Sequence, residues 1–373
     1  MPYFDSTATT KPSKEVLDIF NKASSEYWYN ISGQYRASVM GSSLVSKATS
    51  QILTALNTTN KKIIFTSGAT EANNTAIYGI CQKYIGQNKH IITTSIEHPS
   101  VLNCFKDLEA KGFEVTYLKV SKDGVIDINE LQSSIKPNTV FISIMWVNNI
   151  VGTVMPIKRI IEIVKENPRI KLHVDAVQGI GKIKNDFSFN DIDLFTISSH
   201  KIHGLKGTGA LVLNNNIEIM PFVKGGHQQN NMRAGTVDLA GILAFTVALK
   251  TSIKEQSKNY EYVNNLYNYL TKQLSTFDFI SLNINKEYYS PYILSVTFKN
   301  IKAETVMHFL ESFDIYVGIG SACNEKTKVV EPVLKIMQDE KLAINTVRIS
   351  ISKDNTKEEV DLLISKIKEI GEK

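Results

Sequence analysis

Val140-Phe141-Ile142-Ser143-Ile144-Met145-Trp146-Val147 is apolar at every position except Ser143, and that continuity decides the fold. A strand with one face in water alternates apolar and polar residues, whereas a strand covered by helices on both faces need not. The segment therefore predicts a central strand of a mainly parallel sheet. On either side of it, β-prone runs at 62–66, 91–94, 113–120, 170–174, 194–198 and 210–213 alternate with helical patterns, a rhythm of strand, helix, strand. The predicted fold class is α/β: a mainly parallel seven-stranded sheet sandwiched by helices. Ligands of such a sheet lie beyond the carboxyl ends of its strands.

Residues 238–275 carry Leu239, Ile242, Leu243, Val247 and Leu249 on one side and predict a single long helix leading out of the sheet. Beyond it, strands at 279–283 and 292–298 and helices near 303–313 and 356–370 predict a smaller α+β domain. The expected division is 11–255 for the large domain and 256–373 for the smaller one, which the N-terminal segment 1–10 joins.

Composition removes several function classes. With 43% hydrophobic and 21% charged residues among 373, the chain has ordinary globular usage. Its net charge of +5 is spread without a basic block, so no direct nucleic-acid contact is expected. There is no apolar run of membrane-helix length and no signal pattern at Met1-Pro2-Tyr3-Phe4-Asp5, so a cytoplasmic location and no membrane contact are expected. Cys81, Cys104 and Cys323 are too few and too scattered for a disulfide framework or a four-thiolate metal site. Buried packing is the expectation for Cys81 and Cys104, and no bound metal is expected.

The strand ends hold the chemistry. Thr66-Ser67-Gly68-Ala69-Thr70-Glu71-Ala72-Asn73-Asn74 turns at glycine and opens a helix, so the N–H groups of Ala69 and Thr70 and the Thr70 hydroxyl form a cup for an anion. A simple helix cap is the plainer reading of Thr70 alone. His98, in Glu97-His98-Pro99-Ser100, emerges at a strand end, placed for an aromatic ring or a proton; a surface histidine beside a proline turn is its plainer reading. Asn148 and Asn149 end the central strand with two amides, Asp175 and Gln178 follow the strand at 170–174, and Ser198-Ser199-His200-Lys201 is followed by a glycine-studded loop to Gly209. A lysine held just past a buried strand can lose its proton and condense with an aldehyde.

Taken in order with Tyr3-Phe4-Asp5-Ser6-Thr7-Ala8-Thr9-Thr10, Arg233-Ala234-Gly235-Thr236, Gly320-Ser321-Ala322-Cys323 and Val347-Arg348-Ile349-Ser350, these motifs span nearly the whole chain. The set resembles the cysteine desulfurases, in the class V aminotransferase group of fold-type I pyridoxal phosphate enzymes. The resemblance implies that Lys201 carries pyridoxal 5′-phosphate, that Asp175 pairs with its ring nitrogen and that Gln178 binds its ring hydroxyl. It further implies that His98 stacks on the ring and that Asn149 helps hold ring and substrate. The phosphate would take Ala69, Thr70, Ser198, Ser199 and His200, with Thr236 reaching across a homodimer interface. Arg348 would clamp the carboxylate of L-cysteine, a task suited to a planar guanidinium.

Cys323 decides among activities. Its loop carries Lys326 and Lys328, which favour a thiolate. Such a thiolate attacks the sulfur of bound cysteine, leaving alanine and an enzyme persulfide that passes sulfur to an acceptor protein. An iron–sulfur scaffold, a tRNA-thiolation enzyme and a thiamine-pathway carrier all suit as acceptors. A selenocysteine lyase or a small-amino-acid aminotransferase would use the same cup and Arg348 without needing Cys323. The chain departs from the family pattern at Asn30-Ile31-Ser32-Gly33-Gln34-Tyr35-Arg36, at Ile150 in place of an acid, and at His227-Gln228-Gln229-Asn230-Asn231-Met232. None of these removes a group that the chemistry needs.

Overall fold

The computed structural model describes residues 1–285, 287–319, 332–338 and 340–372. Seven strands form the large sheet: β2 (Lys61–Thr66), β3 (His90–Thr94), β4 (Glu114–Leu118), β5 (Thr139–Met145), β6 (Lys171–Asp175), β7 (Leu194–Ser198) and β8 (Gly209–Asn214). They lie in the order β2-β8-β7-β6-β5-β3-β4. Only β8 runs against its neighbours β2 and β7; every other pairing is parallel. β5 is buried along its whole length, as its unbroken apolar run requires. Helices Ala69–Cys81 and Pro99–Ala110 close one apolar layer over the sheet, with Ile77, Phe105 and Leu108 against Phe141 and Leu211. Ile160, Phe195 and Phe245 belong to the larger core on the other side.

A second sheet holds β1 (Tyr3–Phe4), β9 (Ile280–Asn283), β10 (Ile293–Phe298), β11 (Tyr316–Ile319) and β12 (Thr346–Ser350) in the order β1-β11-β12-β10-β9. β1 pairs parallel with β11, and the other pairings are antiparallel. Thus the first strand of the chain is built into a sheet whose remaining strands come from beyond residue 279. The expected helix at 238–275 is divided: Leu239–Lys254 and Gln256–Leu274 meet at Glu255, where φ −92° and ψ 0° interrupt the regular geometry. Neither proline nor glycine occupies the join, and residues 254–259 are all polar, so nothing in the sequence there marks a break between two helices.

Candidate active site

Strands β2, β3, β5, β6 and β7 of the large sheet deliver their carboxyl ends to one cavity of about 590 Å³, with the loop before β8 between those of β2 and β7. After β2, Ser67 and Gly68 turn the chain into helix Ala69–Cys81; Gly68 has φ +149°, a conformation that favours glycine, and a Cβ there would meet nothing within 4 Å. Conformation, not crowding, selects glycine here. Gly209 answers the opposite need, because a Cβ on it would come within 2.8 Å of Gly68 Cα and hold β8 away from the cup. Arg233 fastens the rim by pairing with Glu71 at 2.7 Å, while Glu71 accepts from the Ser67 N–H at 2.8 Å.

His98 caps helix Pro99–Ala110, its Nδ1 accepting from the Ser100 N–H at 3.1 Å. The ring's other nitrogen, Nε2, therefore carries the proton of the neutral form. Burial lowers its pKa below the usual histidine value, against the opposing pull of Asp175. Past β6, the Asp175 carboxylate is buried: Oδ1 accepts from the Val177 N–H at 3.1 Å and Oδ2 from Asn73 Nδ2 at 2.8 Å. Asn73 gives its other N–H to Ser100 Oγ at 2.9 Å, and that hydroxyl lies 2.8 Å from His98 Nδ1. One chain of hydrogen bonds thus fixes Asp175 and His98 relative to each other.

Past β7, Lys201 Nζ donates to Thr7 O at 2.7 Å and to Ala8 O at 2.6 Å. The N-terminal segment is laced over this loop: Thr10 N–H donates to His200 O at 2.9 Å, and the His203 N–H donates to Thr10 Oγ1 at 2.8 Å. His200 Nδ1 is 3.1 Å from Thr9 Oγ1, and burial, reinforced by Lys201, pulls its pKa down to about 4. The ring is therefore neutral at pH 7. Gln178 Nε2 donates to Thr7 O at 3.1 Å, and Lys182 Nζ donates to Gln178 Oε1 at 2.7 Å.

The second sheet closes the cavity with Arg348 and Ile319. Arg348 Nη2 pairs with Asp5 Oδ1 at 2.7 Å and Nη1 donates to Asn149 O at 3.0 Å, while the buried Nε has no partner among the described residues. A guanidinium so anchored still offers a donor to an incoming carboxylate.

Ala69, Thr70, His98, Asn149, Asp175, Gln178, His200, Lys201 and Arg348 all line this cavity. Ser198 and Ser199 lie buried behind its wall with hydroxyls that have no partner among the described residues; a Cβ on Gly204 would come within 2.0 Å of Ser199 Oγ, which puts that hydroxyl on the Gly204 side. Thr236 lies outside the cavity, on a neighbouring pocket with Arg233 and Gly207. Cys323 lies outside the described residues. Cys81 and Cys104 are buried, and desolvation raises both thiol pKa values, to about 11 for Cys104.

The motif reading missed Asn73, Ser100 and Asp5 as ligands of site residues, although all three stood inside quoted motifs. It also missed Lys182, whose only signal was its place four residues after Gln178. Glu97 was missed too: its Oε1 accepts from Thr94 Oγ1 at 2.7 Å and from the Met145 N–H at 2.9 Å, and burial pushes its pKa up to about 8.

Pyridoxal 5′-phosphate fits these groups. The first-turn N–H groups at Ala69 and Thr70 have no partner inside their helix, and the cup is open, since a Cβ at Gly68 or Gly207 would meet nothing within 4 Å. A buried carboxylate, a primary amine and an amide face the same space.

The aminotransferase class-V profile matches residues 2–363. A Lactobacillus delbrueckii subsp. bulgaricus protein described as a NifS/IcsS protein homolog is 37% identical over 99% of this chain and 97% of its own length. The cysteine desulfurase IscS of Methanosarcina thermophila is 36% identical over 100% of this chain and 92% of its own. Among solved structures, a NifS-like protein superposes with a TM-score of 0.92 at 33% identity, covering 99% of this chain and 98% of that one.

Proposed function

The chain belongs to the aminotransferase class-V family, and we propose that it acts as a pyridoxal-phosphate-dependent cysteine desulfurase, converting L-cysteine to L-alanine and a persulfide on Cys323. The gathering of Lys201, Asp175, His98, Gln178 and Arg348 around one cavity supports this reading most directly. Held on Lys201, pyridoxal phosphate supplies an electron sink that makes the α-proton of a bound amino acid removable.

The residues divide the work. Asp175, held by Asn73 and the Val177 N–H, presents negative charge that keeps a ring nitrogen protonated. Arg348 would take the substrate carboxylate and so fix the α-carbon beside Lys201, whose Nζ would accept the α-proton. His98, neutral with its proton on Nε2, serves the substrate thiol. The Cys323 sulfur forms an S–S bond to the substrate sulfur while the C–S bond breaks; the electron pair stays with carbon, which takes a proton and leaves as alanine. The persulfide sulfur then passes to an acceptor protein such as an iron–sulfur scaffold or a tRNA-thiolation enzyme.

We also propose a homodimer. Trp28 is 80%, Tyr35 55% and Val39 62% exposed, a run of apolar side chains fitted to a second copy. Thr236, away from its own chain's cavity, would reach the partner's phosphate. The split at 255/256 into two domains belongs to the same reading, as does a cytoplasmic location; no helix among the described residues is long and apolar enough to cross a membrane.

Mass spectrometry of Cys323 after addition of L-cysteine, with alanine measured in parallel, tests the function. The expected result is a mass gain of one sulfur at Cys323, abolished in Cys323→Ala while the visible absorbance of the bound cofactor persists. Sulfide release by Cys323→Ala at the wild-type rate would overturn the role of that thiol. Keto-acid-dependent amino transfer without persulfide would move the assignment to an aminotransferase.

A further inference from the structure

Lys182 is 8% exposed, and its Nζ donates to a neutral amide oxygen, Gln178 Oε1 at 2.7 Å. Burying an amine without a carboxylate is costly. Burial pulls its pKa down to about 7, with Lys201 and Arg348 adding to the effect. An apolar side chain would fill the same space more cheaply, so the amine has a use beyond packing.

That use follows from donor and acceptor chemistry. In its protonated form the Lys182 amine only donates, and an amide oxygen only accepts. The contact therefore settles which end of the Gln178 amide faces Lys182, and it turns Nε2 toward Thr7 O, at 3.1 Å. The reversed amide would set N–H against N–H at Lys182 and oxygen against oxygen at Thr7. Because Gln178 lines the cavity and an amide nitrogen carries two N–H groups, the second is left for whatever the cavity holds.

We propose that Lys182 is a positioning residue, which holds the Gln178 amide with its nitrogen toward the cavity so that Gln178 donates a hydrogen bond to the ring oxygen of pyridoxal phosphate. The inference rests on the cofactor reading above. A donor at that oxygen stabilises its anionic form and makes the nearby Lys201 nitrogen, once it carries the cofactor, give up its proton more readily.

The test is a pH titration of the visible absorbance of the loaded full-length protein in wild type, Lys182→Met, Gln178→Met and the double variant. Asp5, Glu71, His98, Asp175, His200, Lys206 and Arg348 also face the cavity, and Glu15, His203, Lys254, Glu255 and Lys353 share the pocket on the side of Lys182; all are common to the four proteins. Lys182→Met is expected to raise the absorbance midpoint by about one pH unit, Gln178→Met to raise it equally, and the double variant to show no further rise. An unchanged midpoint in Lys182→Met, or single shifts that add in the double, would overturn the proposal. Should Lys182→Met fail to fold, Lys182→Gln carries the test, since it removes the charge and keeps a donor. A wild-type midpoint there supports orientation as the role, and a full shift overturns it in favour of a charge effect. Wild-type protein that takes up no cofactor at all would remove the cofactor reading together with this inference, a result readily told apart from an unshifted Lys182→Met.

Discussion

The two walls of the cavity are built differently. On the wall from the large sheet, Asp175, Asn73, Ser100 and His98 form one hydrogen-bonded chain, and Lys182, Gln178, Thr7 and Lys201 form another. On the wall from the second sheet, Arg348 is anchored by Asp5 and Asn149 but keeps a buried Nε without a partner among the described residues. The first wall fixes orientation throughout, which suits a resident ring; the second holds a charge in reserve, which suits a ligand that comes and goes. Variants of the first should change what the protein binds permanently, and variants of the second should change what it selects.

Lys201→Ala should have the largest effect, abolishing the visible absorbance and reducing turnover by about 10⁴-fold. Retained absorbance would break the assignment of that wall. Asp175→Asn comes next, with a loss in kcat of about 10²-fold or more at nearly unchanged KM, since it removes charge facing the ring and not the substrate. Arg348→Lys should keep the absorbance and raise KM for cysteine by about tenfold, the worth of one charge-assisted hydrogen bond. A collapse of the visible band in Arg348→Lys would erase the distinction between the walls.

The last effect concerns stability and not turnover. Glu97 has its pKa raised from 4.5 to about 8 by burial, with Asp175 contributing. The folded protein holds this proton where the unfolded chain has released it, so Glu97 favours folding fully below its ordinary pKa. That contribution is lost as pH rises toward the folded value, at about 1.4 kcal/mol per unit. Glu97→Gln, neutral throughout, should flatten the fall in melting temperature between pH 5 and pH 8. A melting curve with the wild-type pH slope would refute this protonation of Glu97.

The large sheet was legible because its strands carry long apolar runs: 140–147 could hardly be anything but a strand buried on both faces, and β5 lies within it. Asp175 and Lys201 were legible for the same reason, as polar residues at the ends of such runs. The second sheet was less so. β1 has two residues and β11 four, too short for periodicity to register, and β12 holds a buried arginine at its centre. The contacts of Asn73 and Lys182 were hidden for another reason. They depend on how the turn after one strand curls toward its neighbours, and local sequence does not encode that distance.

The N-terminal segment has a consequence for biosynthesis. Thr7 N–H donates to Ser350 Oγ at 3.0 Å across 343 positions, and the carbonyls of Thr7 and Ala8 receive Lys201. The segment around Thr7 must therefore wait for the strand around Ser350 to be synthesised before this bridge can close. A chain cut before residue 350 could assemble the large sheet and still leave the segment over Lys201 unanchored, so uptake of the cofactor would report that translation had passed that strand.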